Sequence, residues 1–246
     1  MTLLTVEGLS KRFGGVVACD NVALEVRPGE LHAVIGPNGA GKTTLLNQLS
    51  GELASDEGRI TLDGREIVAL KAPARAALGI GRSFQITSVF GEFTARENVA
   101  LAVQARAGHS FRFFAKARRE RALVDGAHEM LERTGLGERA NTPAAALSHG
   151  EQRQLEIAMA LAARPRLLLL DEPTAGMGPS ESGRMVELLA SLKGAVAMLL
   201  VEHDMDAVFA LADRITVMTY GRVIATGSPD AIRVNDEVRA AYLGTD

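Results

Sequence analysis

The 246-residue sequence has a single cysteine, no long hydrophobic run and no excess of basic residues. With Cys19 alone, an internal disulfide and a cysteine-rich zinc cluster are both excluded, which fits a reducing compartment. Lys and Arg total 27 against 30 Asp and Glu. We therefore expect no nucleic-acid partner, because non-specific binding to phosphate backbones needs a basic surface.

Long apolar segments are also missing. The longest apolar candidate, residues 167–170, ends at Asp171 and Glu172 and is far shorter than the roughly 20 residues that span a bilayer. The first residues lack a basic stretch followed by a long apolar one, so we expect no signal peptide. Any role at a membrane must then come through a partner protein. Hydrophobic residues make up 47% and charged residues 23%, which is ordinary for a globular protein and argues against disorder.

The spacing of apolar residues predicts an α/β architecture. Strands are predicted at residues 3–9, 22–26, 31–35, 58–63, 166–170, 196–201, 215–218 and 223–226. Helices are predicted at residues 43–53, 151–163, 181–192 and 206–212. Because strands alternate with helices in the last third, the sheet should be largely parallel and covered by helices.

A helical stretch, from about residue 94 to residue 137, interrupts this pattern. Thr94 and Glu97 have the spacing of a capping box, and Leu123, Ala127, Met130 and Leu131 mark one face of a second helix. Between the two helices, residues 111–120 read FRFFAKARRE. Two interpretations stay open: a helix that packs its phenylalanines inward under a solvated basic face, and a contact surface for a partner or lipid headgroups.

A glycine-rich loop follows the strand at residues 31–35. Residues 36–43 fit the pattern G-x-x-x-x-G-K-[ST], in which glycines let successive backbone N–H groups turn toward phosphate oxygens. The next helix adds its positive N-terminus, Lys42 would contact the β- and γ-phosphates, and the Thr43 hydroxyl can ligate Mg²⁺. The candidate nucleotide-binding residues of this loop are Gly36, Pro37, Asn38, Gly39, Ala40, Gly41, Lys42, Thr43 and Thr44.

Two acids end the apolar strand at residues 166–170. In α/β folds the carboxyl edge of a parallel sheet binds ligands. We expect Asp171 to hold Mg²⁺, usually through a water, and Glu172 to act as the general base toward the attacking water. The alternative is a solvated strand end, and the phosphate loop upstream argues against it.

Residues 147–152 read LSHGEQ and have the form of a helix start with Ser148 as its cap. Together with QLEIAMALAARPRLLLLDEPTAG, this segment resembles the ATP-binding-cassette (ABC) ATPases, whose signature is L-S-G-G-Q. The resemblance implies that Ser148, Gly150 and Glu151 bind the γ-phosphate of an ATP held by a partner subunit, through anion binding at a helix N-terminus. His149 stands where the family has glycine.

Further roles follow from the same resemblance. Phe13 matches the aromatic side chain that stacks on adenine, and a packed strand-end phenylalanine is the alternative. Gln85 matches the glutamine that senses Mg²⁺ and the attacking water, with an unpaired surface side chain as the alternative. His203, just past an apolar strand, matches the histidine that touches the γ-phosphate. Gly178 stands where the family has an aspartate that reaches across the dimer, so backbone or another residue must replace that contact.

The resemblance covers the whole chain and implies its fold and reaction. The expected fold is an α/β phosphate-loop core of ABC type (about residues 1–85 and 148–246), with an N-terminal antiparallel β segment and an inserted helical subdomain (about residues 86–147). The expected reaction is Mg²⁺-dependent hydrolysis of ATP. The remaining histidines, His32, His109 and His128, are expected to be structural or exposed.

Residues 12–18, 79–85 and 240–244 look like the larger ATPase subunit of high-affinity branched-chain amino acid importers. Relatives that import urea, short amides or small carboxylates share much of this pattern. Such a subunit is peripheral, at the cytoplasmic face of the plasma (inner) membrane. Its partners would be a second ATPase subunit, identical or paralogous, in a nucleotide-sandwich dimer, together with integral-membrane permeases and an extracytoplasmic solute-binding protein.

Two other function classes make different predictions. A soluble ABC-type ATPase that acts on ribosomes or DNA would have a basic face, a second cassette or a long coiled-coil insertion, and the sequence has none of these. A phosphate-loop kinase or GTPase would need a second substrate- or base-reading motif, and it would leave LSHGEQ unexplained.

Overall fold

The computed structural model describes residues 1–83, 89–106 and 121–243. The strands in these ranges are β1 (Leu4–Phe13), β2 (Val16–Val26), β3 (Leu31–Ile35), β4 (Glu57–Leu62), β5 (Arg65–Glu66), β6 (Ile80–Arg82), β7 (Leu167–Asp171), β8 (Ala197–Val201), β9 (Arg214–Thr219) and β10 (Arg222–Gly227). The α-helices are α1 (Lys42–Ser50), α2 (Ala72–Ala77), α3 (Ala95–Arg106), α4 (Arg121–Arg133), α5 (His149–Ala162), α6 (Pro179–Leu192), α7 (Met205–Leu211), α8 (Pro229–Arg233) and α9 (Asp236–Leu243).

The chain divides into two compact units. The first comprises Met1–Ile80, Arg166–Glu172 and Leu192–Asp246, and the second comprises Gly81–Pro165 and Pro173–Ser191. In this grouping α5 packs with α3 and α4, whereas the division drawn from the resemblance assigned residues 148–165 to the core. That division, with its helical subdomain at about residues 86–147, stays a prediction.

Two sheets form the first unit. The antiparallel sheet has the strand order β2-β1-β4-β5, with tight turns at residues 14–15 and 63–64. The second sheet has the order β10-β9-β3-β8-β7-β6, and its last strand begins at Ile80, where the unit ends. Strand β3 runs parallel to both β8 and β9, and β7 runs parallel to β8. The mainly parallel sheet predicted from the alternation of strands and helices is therefore confirmed.

Burial explains why the central strands lack an alternating pattern. Every residue of β3, β7 and β8 is buried, as expected for a parallel sheet covered on both faces. Helix α1 buries Leu45, Leu46 and Leu49. It ends at Ser50 rather than at residue 53, because Gly51 adopts a left-handed conformation with φ of 82° and caps the helix.

The second unit is helical, and it contains the predicted capping box at Thr94 and the predicted buried face of α4. The Glu97 carboxylate accepts the Thr94 N–H at 2.9 Å, while the Thr94 hydroxyl accepts the Glu97 N–H at 3.2 Å, which completes the capping box. The buried residues of α4 are the four predicted ones: Leu123, Ala127, Met130 and Leu131. Residues 111–120 and His109 lie outside the described residues. None of the described helices has the length and hydropathy to cross a membrane.

His32 is a buried structural histidine, as expected. Its Nδ1 donates to the Glu25 carbonyl at 2.8 Å, and its Nε2 accepts from the Thr216 hydroxyl at 2.7 Å. Burial, aided by the Arg214 charge, lowers the pKa of His32 to about 4, so the ring is neutral at pH 7. His128 is exposed and faces Glu132 on the next turn of α4.

Candidate active site

The phosphate-binding loop, residues 36–43, joins strand β3 to helix α1. Its middle residues are exposed, but both ends pack closely against other backbone. A Cβ atom on Gly36 would collide with the Met218 carbonyl oxygen. Gly41 has φ of 99°, and a Cβ atom there would collide with the Ala18 carbonyl oxygen. Glycine is therefore required at these two positions by close backbone approach.

Helix α1 begins at this loop without a side-chain cap. Its N-cap is Gly41, and its first turn carries no acidic side chain. The first N–H groups of a helix have no acceptor within the helix and carry partial positive charge. The start of α1 can therefore receive a phosphate group without displacing a carboxylate of its own first turn.

Lys42 places a buried ammonium group at the same point. The residue is 6% exposed, and its Nζ donates to the carbonyl oxygens of Gly36 at 2.7 Å and Pro37 at 3.1 Å. Burial lowers the pKa of Lys42 below its ordinary value, and the nearby carboxylates of Glu172 and Asp171 offset only part of that shift. A phosphate oxygen would make a stronger, charge-assisted hydrogen bond than these neutral carbonyls do, so the amine is poised to exchange partners.

Asp171 and Thr43 form the candidate Mg²⁺ site. Asp171 is the buried last residue of β7, and its Oδ1 lies 3.5 Å from the Thr43 hydroxyl in the first turn of α1. Helix α1 packs against β7, which brings these side chains together. Mg²⁺ prefers oxygen ligands and is commonly bound by one or two such side chains together with substrate phosphates. The donor set therefore fits Mg²⁺.

Glu172, the candidate base, has an unusual backbone. Its φ is 48°, in the left-handed region that non-glycine residues rarely adopt, and its N–H donates to the Val201 carbonyl at 2.9 Å. Such a conformation costs about 1–3 kcal/mol and persists where the surrounding structure holds it. The side chain is 19% exposed, and its Oε1 lies 3.9 Å from Nδ1 of His203. This carboxylate is mostly enclosed yet still within reach of a water molecule.

Glu202 is a buried carboxylate beneath His203 that the sequence analysis missed. Its side chain is 1% exposed, and Oε2 accepts the N–H groups of His203 at 2.9 Å and Asp204 at 3.4 Å. The same oxygen lies 3.8 Å from His203 Nδ1. Glu202 therefore holds the turn that presents the His203 ring, whose side chain is 58% exposed. Its position next to the candidate histidine is the signal that could have found it.

Phe13 ends strand β1 and is 50% exposed, which argues against the packed alternative. The ammonium group of Lys11 lies 5.6 Å from the centre of its ring. An aromatic ring with an open face can stack on a flat base. Gln85, by contrast, lies outside the described residues, and its predicted role stays a prediction.

The LSHGEQ segment lies in the second unit, at the start of α5. Ser148 is the N-cap, as predicted: its Oγ accepts the Glu151 N–H at 3.3 Å, and the Glu151 carboxylate accepts the Ser148 N–H at 2.8 Å. Ser148 is exposed, whereas Gly150 is buried. Arg139 donates to the Glu151 carboxylate at 2.8 and 3.3 Å and holds the pKa of that carboxyl group below its ordinary value.

Two further residues complete this region. The Ser148 hydroxyl donates to Glu181 Oε1 at 3.2 Å, a contact that sequence spacing did not suggest. Gly178 precedes α6, and its carbonyl accepts the N–H groups of Glu181 at 3.0 Å and Ser182 at 2.9 Å. A Cβ atom at Gly178 would meet open space, so no steric demand explains the glycine.

The first unit thus brings Lys42, Thr43, Asp171, Glu172 and His203 to one region. The second unit brings Ser148, Gly150 and Glu151 to one helix start. The chemical role of each residue remains a prediction.

Known proteins with similar sequences are ATP-binding proteins of transport systems. A family model described as ABC transporter matches residues 19–175, and one described as branched-chain amino acid ATP-binding cassette transporter matches residues 222–246. The high-affinity branched-chain amino acid transport ATP-binding protein LivG of Salmonella typhimurium is 43% identical over 249 residues, which cover 98% of each chain. The corresponding protein BraF of Pseudomonas aeruginosa is 42% identical, with the same coverage.

Solved structures agree with this assignment. The ADP conformation of MJ1267, an ATP-binding cassette of an ABC transporter, has a TM-score of 0.87 and 30% identity, and the match covers 100% of both chains. The dimeric, post-hydrolysis state of the ATP-binding cassette MJ0796, bound to ADP and Pi, has a TM-score of 0.78 and 26% identity, and the match covers 92% of this chain and 99% of that one. Since the family model spans most of the sequence and relatives align over nearly its full length, the chain belongs to the ATP-binding subunits of ABC transporters.

Proposed function

We propose that this chain hydrolyses ATP with Mg²⁺ and so drives the import of branched-chain or related small amino acids through a membrane permease. The observation that carries the ATPase is the meeting of a buried ammonium, a hydroxyl–carboxylate pair and a second carboxylate beside the phosphate loop. The cargo is supported by LivG and BraF, which are named for branched-chain amino acid transport, and by the family match at residues 222–246.

Binding of ATP would use groups that the free chain already presents. The N–H groups of residues 36–43 and the start of α1 would surround the phosphates. Lys42 would release the carbonyls of Gly36 and Pro37 and bond to the β- and γ-phosphates. The half-exposed ring of Phe13 would stack on adenine.

Thr43 and Asp171 would hold Mg²⁺, with Gln85 near it as the resemblance implies. When bound, the ion neutralises charge on the β- and γ-phosphate oxygens. Glu172 would accept a proton from the attacking water as the new oxygen–phosphorus bond forms and ADP leaves. The exposed ring of His203, held by Glu202, would contact the γ-phosphate.

Full activity would require a second ATPase subunit, identical or paralogous. Ser148, Gly150 and Glu151 would contact the γ-phosphate of the nucleotide held by that subunit, so each site is shared. The dimeric state of MJ0796 supports this arrangement. The other partners would be integral-membrane permeases and an extracytoplasmic solute-binding protein, which would place the chain at the cytoplasmic face of the membrane.

Uptake by the complete transporter tests the proposed cargo. We expect vesicles with the transporter in their membrane, ATP inside and the binding protein outside to accumulate labelled leucine, isoleucine or valine, but not urea. A transporter that carries Lys42→Ala in this subunit is the matched inactive control. Uptake of urea or a short amide without leucine would contradict the cargo and leave the ATPase assignment standing.

The shared site makes Ser148→Arg an informative variant. We expect the isolated variant to bind ATP as the wild type does, because residues 36–44 are unchanged. In the assembled transporter, turnover at the site completed by this segment should fall by roughly 10²-fold, since a bulky cation replaces a hydroxyl donor at the γ-phosphate. Equilibrium ATP binding and phosphate release are the two measurements.

Ser148→Thr is the control for this experiment, because it keeps both the hydroxyl group and the helix cap. We expect it to retain most of the turnover. The shared-site model would be wrong if Ser148→Arg weakened ATP binding by the isolated chain as severely as Lys42→Ala does.

A further inference from the structure

Glu181 places a carboxylate at the start of helix α5, where the proposed function has the γ-phosphate bind. Its Oε1 accepts the Ser148 hydroxyl at 3.2 Å. A Cβ atom on Gly150 would lie 3.0 Å from the same oxygen, so Glu181 also lies directly against that residue. Glu181 comes from the first turn of α6, where its N–H bonds to the Gly178 carbonyl. Two helix starts therefore share this one anionic group.

Glu181 has no ion-pair partner among the described residues, although arginines line the same cleft. The side chain lines an open cleft of 780 Å³, whose charged walls are Glu132, Arg133, Arg139, Glu151, Arg184 and Glu187. Arg139 is committed to Glu151 through two hydrogen bonds. No described arginine, lysine or histidine forms an ion pair with Glu181, whose contact at this helix start is the neutral Ser148 hydroxyl.

We propose that Glu181 is a positioning residue: its carboxylate accepts the hydrogen bond of the Ser148 hydroxyl and so competes with the incoming γ-phosphate for that donor. This inference rests on the proposed function of Ser148. A second anion brought to this helix start is repelled by the Glu181 carboxylate and finds the hydroxyl already engaged. Closure of the dimer then requires the Ser148–Glu181 hydrogen bond to break.

This competition gives Glu181 a role in nucleotide discrimination. ATP brings a γ-phosphate that can replace the carboxylate as the partner of Ser148. ADP has no γ-phosphate, so the internal hydrogen bond persists and the dimer stays open. Glu181 thereby raises the concentration of ATP needed for closure and turnover.

Glu181→Gln in the complete transporter tests this proposal, because the amide keeps the size of the side chain and removes its charge. We expect the KM for ATP to fall by roughly three- to tenfold with a smaller change in kcat, as for the loss of a like charge near a surface site. ATP binding by the isolated chain should not change. The difference in KM between variant and wild type should shrink at high salt, because salt screens the repulsion that the variant removes.

Glu187→Gln is the matched control, since Glu187 lies on the same helix, lines the same cleft and is exposed. It makes the same change in net charge and should leave KM at the wild-type value. Glu181→Ala, which also removes the acceptor, should lower KM as Glu181→Gln does. A purely structural role in α6 would lower the melting temperature in these variants without lowering KM.

An unchanged or raised KM for ATP in Glu181→Gln would overturn the inference, because the carboxylate would then have no effect on γ-phosphate binding at Ser148 or would favour it. That result would leave the proposed function intact as long as Ser148→Arg still lowered turnover by roughly 10²-fold with normal ATP binding. If Ser148→Arg retained turnover, the proposed function of this segment would fail, and the role of Glu181 with it.

Discussion

Lys42→Ala is expected to weaken ATP binding by about 10- to 100-fold and to remove most hydrolysis and transport. The variant deletes a buried ammonium that lies within hydrogen-bond distance of the loop carbonyls of Gly36 and Pro37. Hydrogen bonds to charged groups contribute about 1.5–3 kcal/mol, and about 1.4 kcal/mol corresponds to a tenfold change in affinity. Equilibrium binding of ATP and the rate of phosphate release measure the two effects.

Two controls sharpen this prediction. Lys42→Arg keeps the positive charge but replaces a compact ammonium with a planar guanidinium, so we expect it to restore little activity at so enclosed a position. Lys71→Ala removes an exposed lysine outside the site and should behave as the wild type does. Undiminished ATPase activity in Lys42→Ala would refute the assignment of the phosphate loop.

The Glu172→Gln variant should bind ATP as the wild type does but should no longer hydrolyse it at an appreciable rate. The amide preserves the shape of the side chain next to His203, and Lys42, Thr43 and Asp171 still bind the nucleotide and Mg²⁺. An amide cannot accept the proton of the attacking water, so hydrolysis should fall by roughly 10²-fold or more. The ATP-bound, closed dimer should accumulate, and size-exclusion chromatography with ATP and Mg²⁺ would detect it.

The two variants separate binding from chemistry. Both should lack turnover, but only Lys42→Ala should also lose affinity for ATP. Glu187→Gln, an exposed change of the same kind, should hydrolyse ATP normally. If Glu172→Gln turned over at the wild-type rate, the role of general base would have to be assigned to another residue.

Local signals predicted much of the fold because they involve residues close in the chain. Strand β3 has the predicted bounds, since an unbroken apolar run between turns reports its complete burial. The capping boxes at Thr94 and Ser148 each join residues three apart, and the apolar face of α4 repeats with the helical period. Helix α1 ends three residues before its predicted end, because Gly51 caps it in a left-handed conformation that the apolar periodicity does not reveal.

Sequence reasoning did not identify the partners of several acidic side chains at these sites. Glu202 supports the neighbouring histidine through its burial and its bonds to two backbone N–H groups, and neither is visible in the sequence. Arg139 and Glu151 are 12 residues apart, and Ser148 and Glu181 are 33 apart. Charged residues are common on every helix surface, so spacing alone does not select these pairs.

The family, the phosphate loop and the order of the candidate groups can be read from the sequence alone, because each rests on short patterns of neighbouring residues. Tertiary structure decided which groups face one another: Thr43 with Asp171, and Glu172 with His203. It also decided that the Ser148 hydroxyl is already engaged by Glu181. Such pairings depend on how strands and helices pack, and the packing arises from burial summed over the whole chain rather than from any local motif.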